Sequence, residues 1–132
     1  LLGQLERPGR AVIADFEAGL GTVLRMDGRP VDVVVVVVEP TAKSLEVGRR
    51  AADAVREGGL GRVVVTANRV RDDDDVARVR AAFPGLDPVL VPDEPAIVAA
   101  ERRGEAPLDA AADSPGVRAL VQLAESLLPG RG

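Results

Sequence analysis

The sequence predicts an α/β fold, a doubly wound and mostly parallel sheet flanked by helices. Three observations predict it. Val31 to Val38 is rich in β-branched residues and lacks polar alternation, the pattern of a strand buried on both faces. Helix-length segments separate the successive strand candidates, which implies right-handed parallel crossovers. Asp15, Glu39, Asn68 and Asp93 all fall at or just past expected strand ends, the edge where open α/β sheets bind ligands.

The elements follow in order. Leu1 to Glu6 is expected to be the tail of a helix closed by Pro8-Gly9, and Arg10 to Phe16 a strand. Leu20 to Met26 reads as a short helix or a switch loop, followed by the turn Asp27-Gly28-Arg29-Pro30. Pro40 ends the valine-rich strand. Thr41 caps a helix that runs to about Glu57 and stops at Gly58-Gly59, with Leu45, Ala52 and Val55 as its apolar stripe. Arg62 to Ala67 is the next buried strand, Asp72 to Phe83 a helix, Pro88 to Val91 a short strand, and Pro95 to about Arg103 a helix. Ser114-Pro115 opens a last helix carrying Val117, Leu120, Val121, Leu123, Leu127 and Leu128, expected to close the core. Residues 1–132 are read as a single domain, without repeats or low-complexity segments.

Composition narrows the chemistry. Hydrophobic residues are 46% of the chain and aromatics 2%, so the core must be built from Val, Leu, Ile and Ala. With no Cys and no His, thiolate and imidazole metal ligands and Ser-His or Cys-His pairs are excluded. Carboxylates, arginines, hydroxyls and backbone amides remain, and a reducing cytoplasm is the expected location. A formal net charge of -4 argues against non-specific nucleic-acid binding. The longest apolar run, Val33 to Val38, is far shorter than the roughly 20 residues of a membrane helix. Leu1 to Leu5 carries no basic leader, and a start at Leu is expected of a fragment or trimmed chain.

The segment Val12 to Gly19 places an acid, Asp15, at the end of an apolar run, with the small pair Ala18-Gly19 close behind. Such a carboxylate can hold a magnesium ion's water, and a glycine amide can approach a terminal phosphate unobstructed. An acid after a strand serves as readily as a loop residue or helix cap. The phosphate-cradling G-x-x-x-x-G-K-S/T loop is absent from these residues, and Lys43, the only lysine, follows Ala42 rather than glycine. Asn68 offers a donor and an acceptor suited to a purine edge, although a lone Asn after a strand more often forms a turn. Pro92, Asp93 and Glu94 form a rigid loop that reads either as a wall against a base or as a proline-bounded helix start. Asp72-Asp73-Asp74-Asp75 lacks the spacing of a calcium loop and is expected to be the dipole-favoured first turn of a helix.

Taken in order, Asp15-Phe16-Glu17-Ala18-Gly19, Val38-Glu39-Pro40-Thr41 with Ser44-Leu45-Glu46, Thr66-Ala67-Asn68-Arg69-Val70 and Val91-Pro92-Asp93-Glu94-Pro95 resemble the carboxyl-terminal half of the MinD/ParA-type P-loop ATPases, the class with a deviant Walker A motif. Within that class the segments are most similar to the carbon monoxide dehydrogenase maturation ATPases, which support nickel insertion. The resemblance implies an incomplete P-loop NTPase fold lacking its amino-terminal P-loop unit. It implies ATP and magnesium as cofactors, with Asp15 the Walker B acid acting on magnesium through water. Gly19 would sense the γ-phosphate, Asn68 would read adenine, and Pro92, Asp93 and Glu94 would line the base pocket. It further implies a homodimer in the full-length protein and a client metalloenzyme. Gly21 and Thr22 stand where the maturation ATPases carry Glu and His, a departure that bears on the client. No catalytic residue is assigned, and the chain alone is expected to be inactive, because transition-state charge on a phosphoryl group needs the P-loop amides and lysine. The competing expectations are a non-catalytic α/β interaction module and, more remotely, a phospho-accepting switch using Asp15 and Thr66.

Overall fold

The computed structural model describes residues 8–16 and 31–128. Three parallel strands, β1 (Val33–Val38), β2 (Arg62–Val70) and β3 (Val89–Pro92), lie side by side in chain order. Helix α1 (Ala42–Glu57) joins β1 to β2, and α2 (Asp73–Ala82) joins β2 to β3. Three further helices follow: α3 (Pro95–Arg102), the single turn α4 (Pro107–Ala110) and α5 (Pro115–Leu127). The predicted α/β class and parallel order are therefore present, with helices flanking the sheet.

The valines decide the layering. Val34 pairs with Val63, Val36 with Val65 and Val38 with Ala67, so one column from each strand faces the same side. Against that side pack Leu45 and Ala52 of α1 and Val79 and Phe83 of the α2 end, forming the principal core. Each buried aliphatic side chain contributes roughly 1.5–3 kcal/mol relative to exposure. Leu90 of β3 joins this cluster, so its neighbour Val91 points to the opposite face. There α5 packs on β3, and Val91, Ala100 and Val117 are fully buried.

Helix boundaries follow capping chemistry. Thr41 Oγ1 caps α1 by accepting the Ser44 N–H at 3.3 Å, and Ser44 Oγ accepts the Glu39 N–H at 2.9 Å, which ties the end of β1 to the start of α1. At the other end Gly59 adopts φ +59°. The Leu60 N–H reaches Val55 O at 3.0 Å and the Gly59 N–H reaches Arg56 O at 3.2 Å, the paired bonds of a Schellman stop. Asp72 caps α2 by accepting the Asp75 N–H at 2.8 Å. Asp75 is itself buried, accepting the Arg71 N–H at 3.0 Å and Arg71 Nε at 3.2 Å. The four-aspartate run is thus a capping device, and no metal-ligating cluster occurs among the described residues.

Three expectations need correction. Arg10 to Phe16 is not a strand: it makes no backbone hydrogen bond among the described residues, and Ile13 is 92% exposed. Apolar content does not make a strand without a neighbouring ladder to pair with. The second concerns β1, which is not buried on both faces. It is the sheet edge among the described residues, and Val37, on the side opposite α1, is 64% exposed. The third concerns α5, whose apolar face is fully buried in its first turn and only half-buried beyond it. Gly116 and Val117 are buried, Val121, Leu123 and Leu127 are half-buried, and Leu120 and Leu128 are more than 40% exposed. The expected helix Leu1 to Glu6 and the segments 17–30 lie outside the described residues.

Gly48, on the buried face of α1, has no room for a side chain: a Cβ there would collide with Val38 Cγ1 and lie 3.3 Å from Phe83 Cζ. Helix propensity favours Gly48→Ala by about 1 kcal/mol, but overpacking costs about 1–3 kcal/mol. We expect Gly48→Ala to lower the midpoint of urea unfolding; an unchanged or higher midpoint would show the interface to be loose.

The Asp75 carboxyl is held below its ordinary range, first by the Arg71 backbone N–H and then by its guanidinium, against an opposing effect of burial. A carboxylate with a lowered folded pKa stabilises the native state above its unfolded pKa and loses that contribution as pH falls through it, here below about pH 4. Asp75→Asn is expected to lower Tm at pH 7 and to flatten the acid limb of the Tm–pH curve. Parallel curves for the two proteins would rule this out.

Candidate functional site

The carboxyl ends of the three strands bring Glu39, Asn68, Arg69, Pro92, Asp93 and Glu94 to one edge of the sheet. Each arrives there for a local reason. Glu39 ends β1 because Pro40 cannot continue the ladder. Its carboxylate lies 3.6 Å from Arg69 Nη1, an exposed pair across the ends of β1 and β2 that contributes at most about 1 kcal/mol.

Strand β2 runs three residues beyond its sequence-expected end, through an irregularity. Ala67 pairs with Leu90 and Val70 with Pro92, leaving Asn68 and Arg69 in a bulge. Arg69 takes φ +60°, the only non-glycine residue with positive φ among those described. Both side chains are thereby exposed at the edge. The Asn68 side chain makes no hydrogen bond among the described residues.

Asp93 is exposed, and its N–H donates to Val70 O at 2.9 Å, which fixes the loop after β3. Glu94 has a different task from the wall expected of it. It caps α3, its Oε1 accepting the Ala96 N–H at 3.2 Å, while its Oε2 accepts the Gly116 N–H of α5 at 3.4 Å. One carboxylate thus holds the amino ends of two helices. Ser114, expected to cap α5, instead donates its hydroxyl to Ala111 O at 2.7 Å.

Asp15 is exposed within the irregular segment 8–16 and makes no ion pair or hydrogen bond to the described residues. Gly19 lies outside the described residues. The structure thus brings Asn68, Pro92, Asp93 and Glu94 together but does not join Asp15 to them. Beside this edge runs an open groove of about 640 Å³, lined by Arg69, Asp93, Pro95, Val98, Ala99, Arg102 and Arg103. Sequence reasoning did not single out Arg69, Arg102 or Arg103. The only available signal was Arg69 directly following a strand-end Asn.

No protein-family model matches the chain. It is 36% identical over 63 residues to an uncharacterized ATP-binding protein of Methanocaldococcus jannaschii, a match covering 48% of this chain and 24% of that protein. Its fold is similar to the MinD cell division protein of Aquifex aeolicus, with a TM-score of 0.53 and 20% identity, over 74% of this chain and 46% of that one. The chain thus spans about a quarter of the curated relative and less than half of the MinD chain. The sheet order and helix layers define an α/β protein with a parallel sheet whose fold is similar to part of the MinD fold. No described helix is long and apolar enough to cross a membrane.

Gly116 has no space for a Cβ, which would sit 2.7 Å from Glu94 Cβ. Glu94→Ala is expected to cost about 0.5–2 kcal/mol as a lost cap. It should also raise amide exchange at the starts of both α3 and α5. Exchange rising at α3 alone would show that the bond to Gly116 does not hold α5.

Proposed function

We propose that this chain supplies the base-binding side of a nucleotide-switched, MinD-like ATPase. The observation that carries the proposal is the convergence of a bulged Asn68, without a side-chain hydrogen bond among the described residues, and the Pro92 to Glu94 loop at the carboxyl edge of a parallel sheet. An amide with a free donor and a free acceptor can read the edge of adenine. The MinD-like fold and the similarity to an ATP-binding protein support this reading. Asp15 and Gly19 are then the groups for magnesium-bound water and the γ-phosphate. They depend on a phosphate-holding loop that these 132 residues do not contain, so the chain by itself does not hydrolyse ATP. The full protein would act in the cytoplasm as an ATP-clamped homodimer. The segments Asp15 to Gly19 and Val38 to Glu46 favour a maturation factor with a metalloenzyme client.

The test is an NMR titration of the chain with adenosine, magnesium-ATP and magnesium-GTP. Both adenine ligands should shift the amides of Asn68 and Asp93 with similar, weak affinities, because only the base is recognised. Asn68→Ala should weaken adenosine about tenfold, the loss of roughly one to two hydrogen bonds, without changing Tm. Micromolar affinity for magnesium-ATP would refute the absence of a phosphate site. Shifts away from the strand ends, or equal response to GTP, would refute the base site and leave an interaction module.

A further inference from the structure

Arg69 stands on one wall of the groove beside the sheet edge, and Arg102 and Arg103 stand at the other, where α3 ends. Pro95, Val98 and Ala99 form an apolar stretch between them, and Asp93 is the only carboxylate in the lining. This concentration of guanidinium groups occurs in a chain of net charge -4. Arginines at a helix carboxyl end are ordinarily favoured by the helix dipole. That explains Arg102 and Arg103, but it does not explain Arg69. Its left-handed backbone, at φ +60°, is unfavourable for a side chain of this size. The bulge it sits in turns its side chain out of the ladder and toward the groove.

The existing partners leave capacity. Arg69 meets Glu39 only at 3.6 Å, with both side chains about half exposed, so that pair is readily exchanged. Arg103 is engaged by Glu105 through Nε at 3.2 Å and Nη2 at 3.3 Å. Arg102 makes no ion pair among the described residues. We propose that this groove docks an acidic peptide segment of a partner protein. Its carboxylates would be taken by the Arg69 and Arg102 forks, and an intervening aliphatic side chain would lie on Val98 and Ala99. Guanidinium groups bind carboxylates bidentately, which supplies direction as well as charge. The groove is open to solvent, which suits an extended chain better than an enclosed small ligand. The inference goes beyond the nucleotide reading and does not rest on it.

The experiment is fluorescence anisotropy of the full chain with a short fluorescein-labelled peptide alternating glutamate and leucine. Saturable binding is expected, weakening as salt is raised. The double charge reversal Arg69→Glu with Arg102→Glu should weaken binding at least about tenfold. Arg102→Glu alone, at an exposed helix end that leaves the fold intact, should weaken it about threefold. Arg49→Glu with Arg56→Glu, in the separate groove between α1 and the end of α2, should leave it unchanged. Failure to bind at millimolar peptide, equal binding of a lysine–leucine peptide, or unaltered affinity in the Arg102→Glu protein would overturn the proposal. So would tight binding of a single-stranded oligonucleotide in the peptide's place. Loss of the adenosine response with peptide binding intact would remove the nucleotide reading and leave this one standing.

Discussion

The close approach of α1 to the β1–β2 pair is the contact on which the rest of the molecule depends. With two phenylalanines and no tryptophan or tyrosine, the chain cannot fill a wide gap between helix and sheet. It closes the gap instead, setting Gly48 directly over Val38 and Phe83. Close packing of small aliphatic groups recovers through dispersion what large aromatic surfaces would have supplied. The parallel register follows, because the columns Val36–Val65 and Val38–Ala67 must both present to the same helix. A slip of one residue in β2 would turn Val63, Val65 and Ala67 away from α1 and bring Val64 and the hydroxyl of Thr66 in their place.

That register places the strand ends, and the strand ends place the polar groups. Val38 and Ala67 are the last residues paired between β1 and β2, so Glu39 and Asn68 emerge at the same height. The bulge at Asn68 and Arg69 then lets β2 regain its pairing with β3 at Val70 and Pro92. It also releases two side chains that a regular strand would have committed to its faces. Local irregularity at the edge of an otherwise regular sheet separates exposed polar groups from the groups that pack.

The V-E-P-T-x-x-S segment, one of the most specific parts of the family resemblance, has an internal structural role. Its Thr41 caps α1 and its Ser44 holds the Glu39 N–H at the end of β1. Likewise the aspartate run from Asp72 caps α2, and Asp75 fastens the turn that leaves β2 through Arg71. Glu94 unites both kinds of role. It stands at the edge where a ligand would lie, yet its two carboxylate oxygens are occupied by α3 and α5. Polar residues at a sheet edge are therefore divided between helix capping and exposure. Asn68 and Asp93 fall on the exposed side of that division.

Local chemistry alone determined much of this. The β-branched run of β1, the stripe of Leu45, Ala52 and Val55, the Thr41 and Asp72 caps and the Gly58-Gly59 stop are all set by groups within a few residues of one another. Their energetics are contained in short stretches of sequence. What depends on distant partners could not be read that way. Arg10 to Phe16 has strand composition but no ladder beside it among the described residues. Val37 is exposed because no described helix lies over that side of β1. The start of α5 is capped not by Ser114 but by Glu94, 22 residues before Gly116. The arginine groove exists only because a bulge in β2 and the end of α3 meet in space. Hydrogen-bond ladders and charge clusters are properties of pairs brought together by folding, so tertiary structure alone decided them.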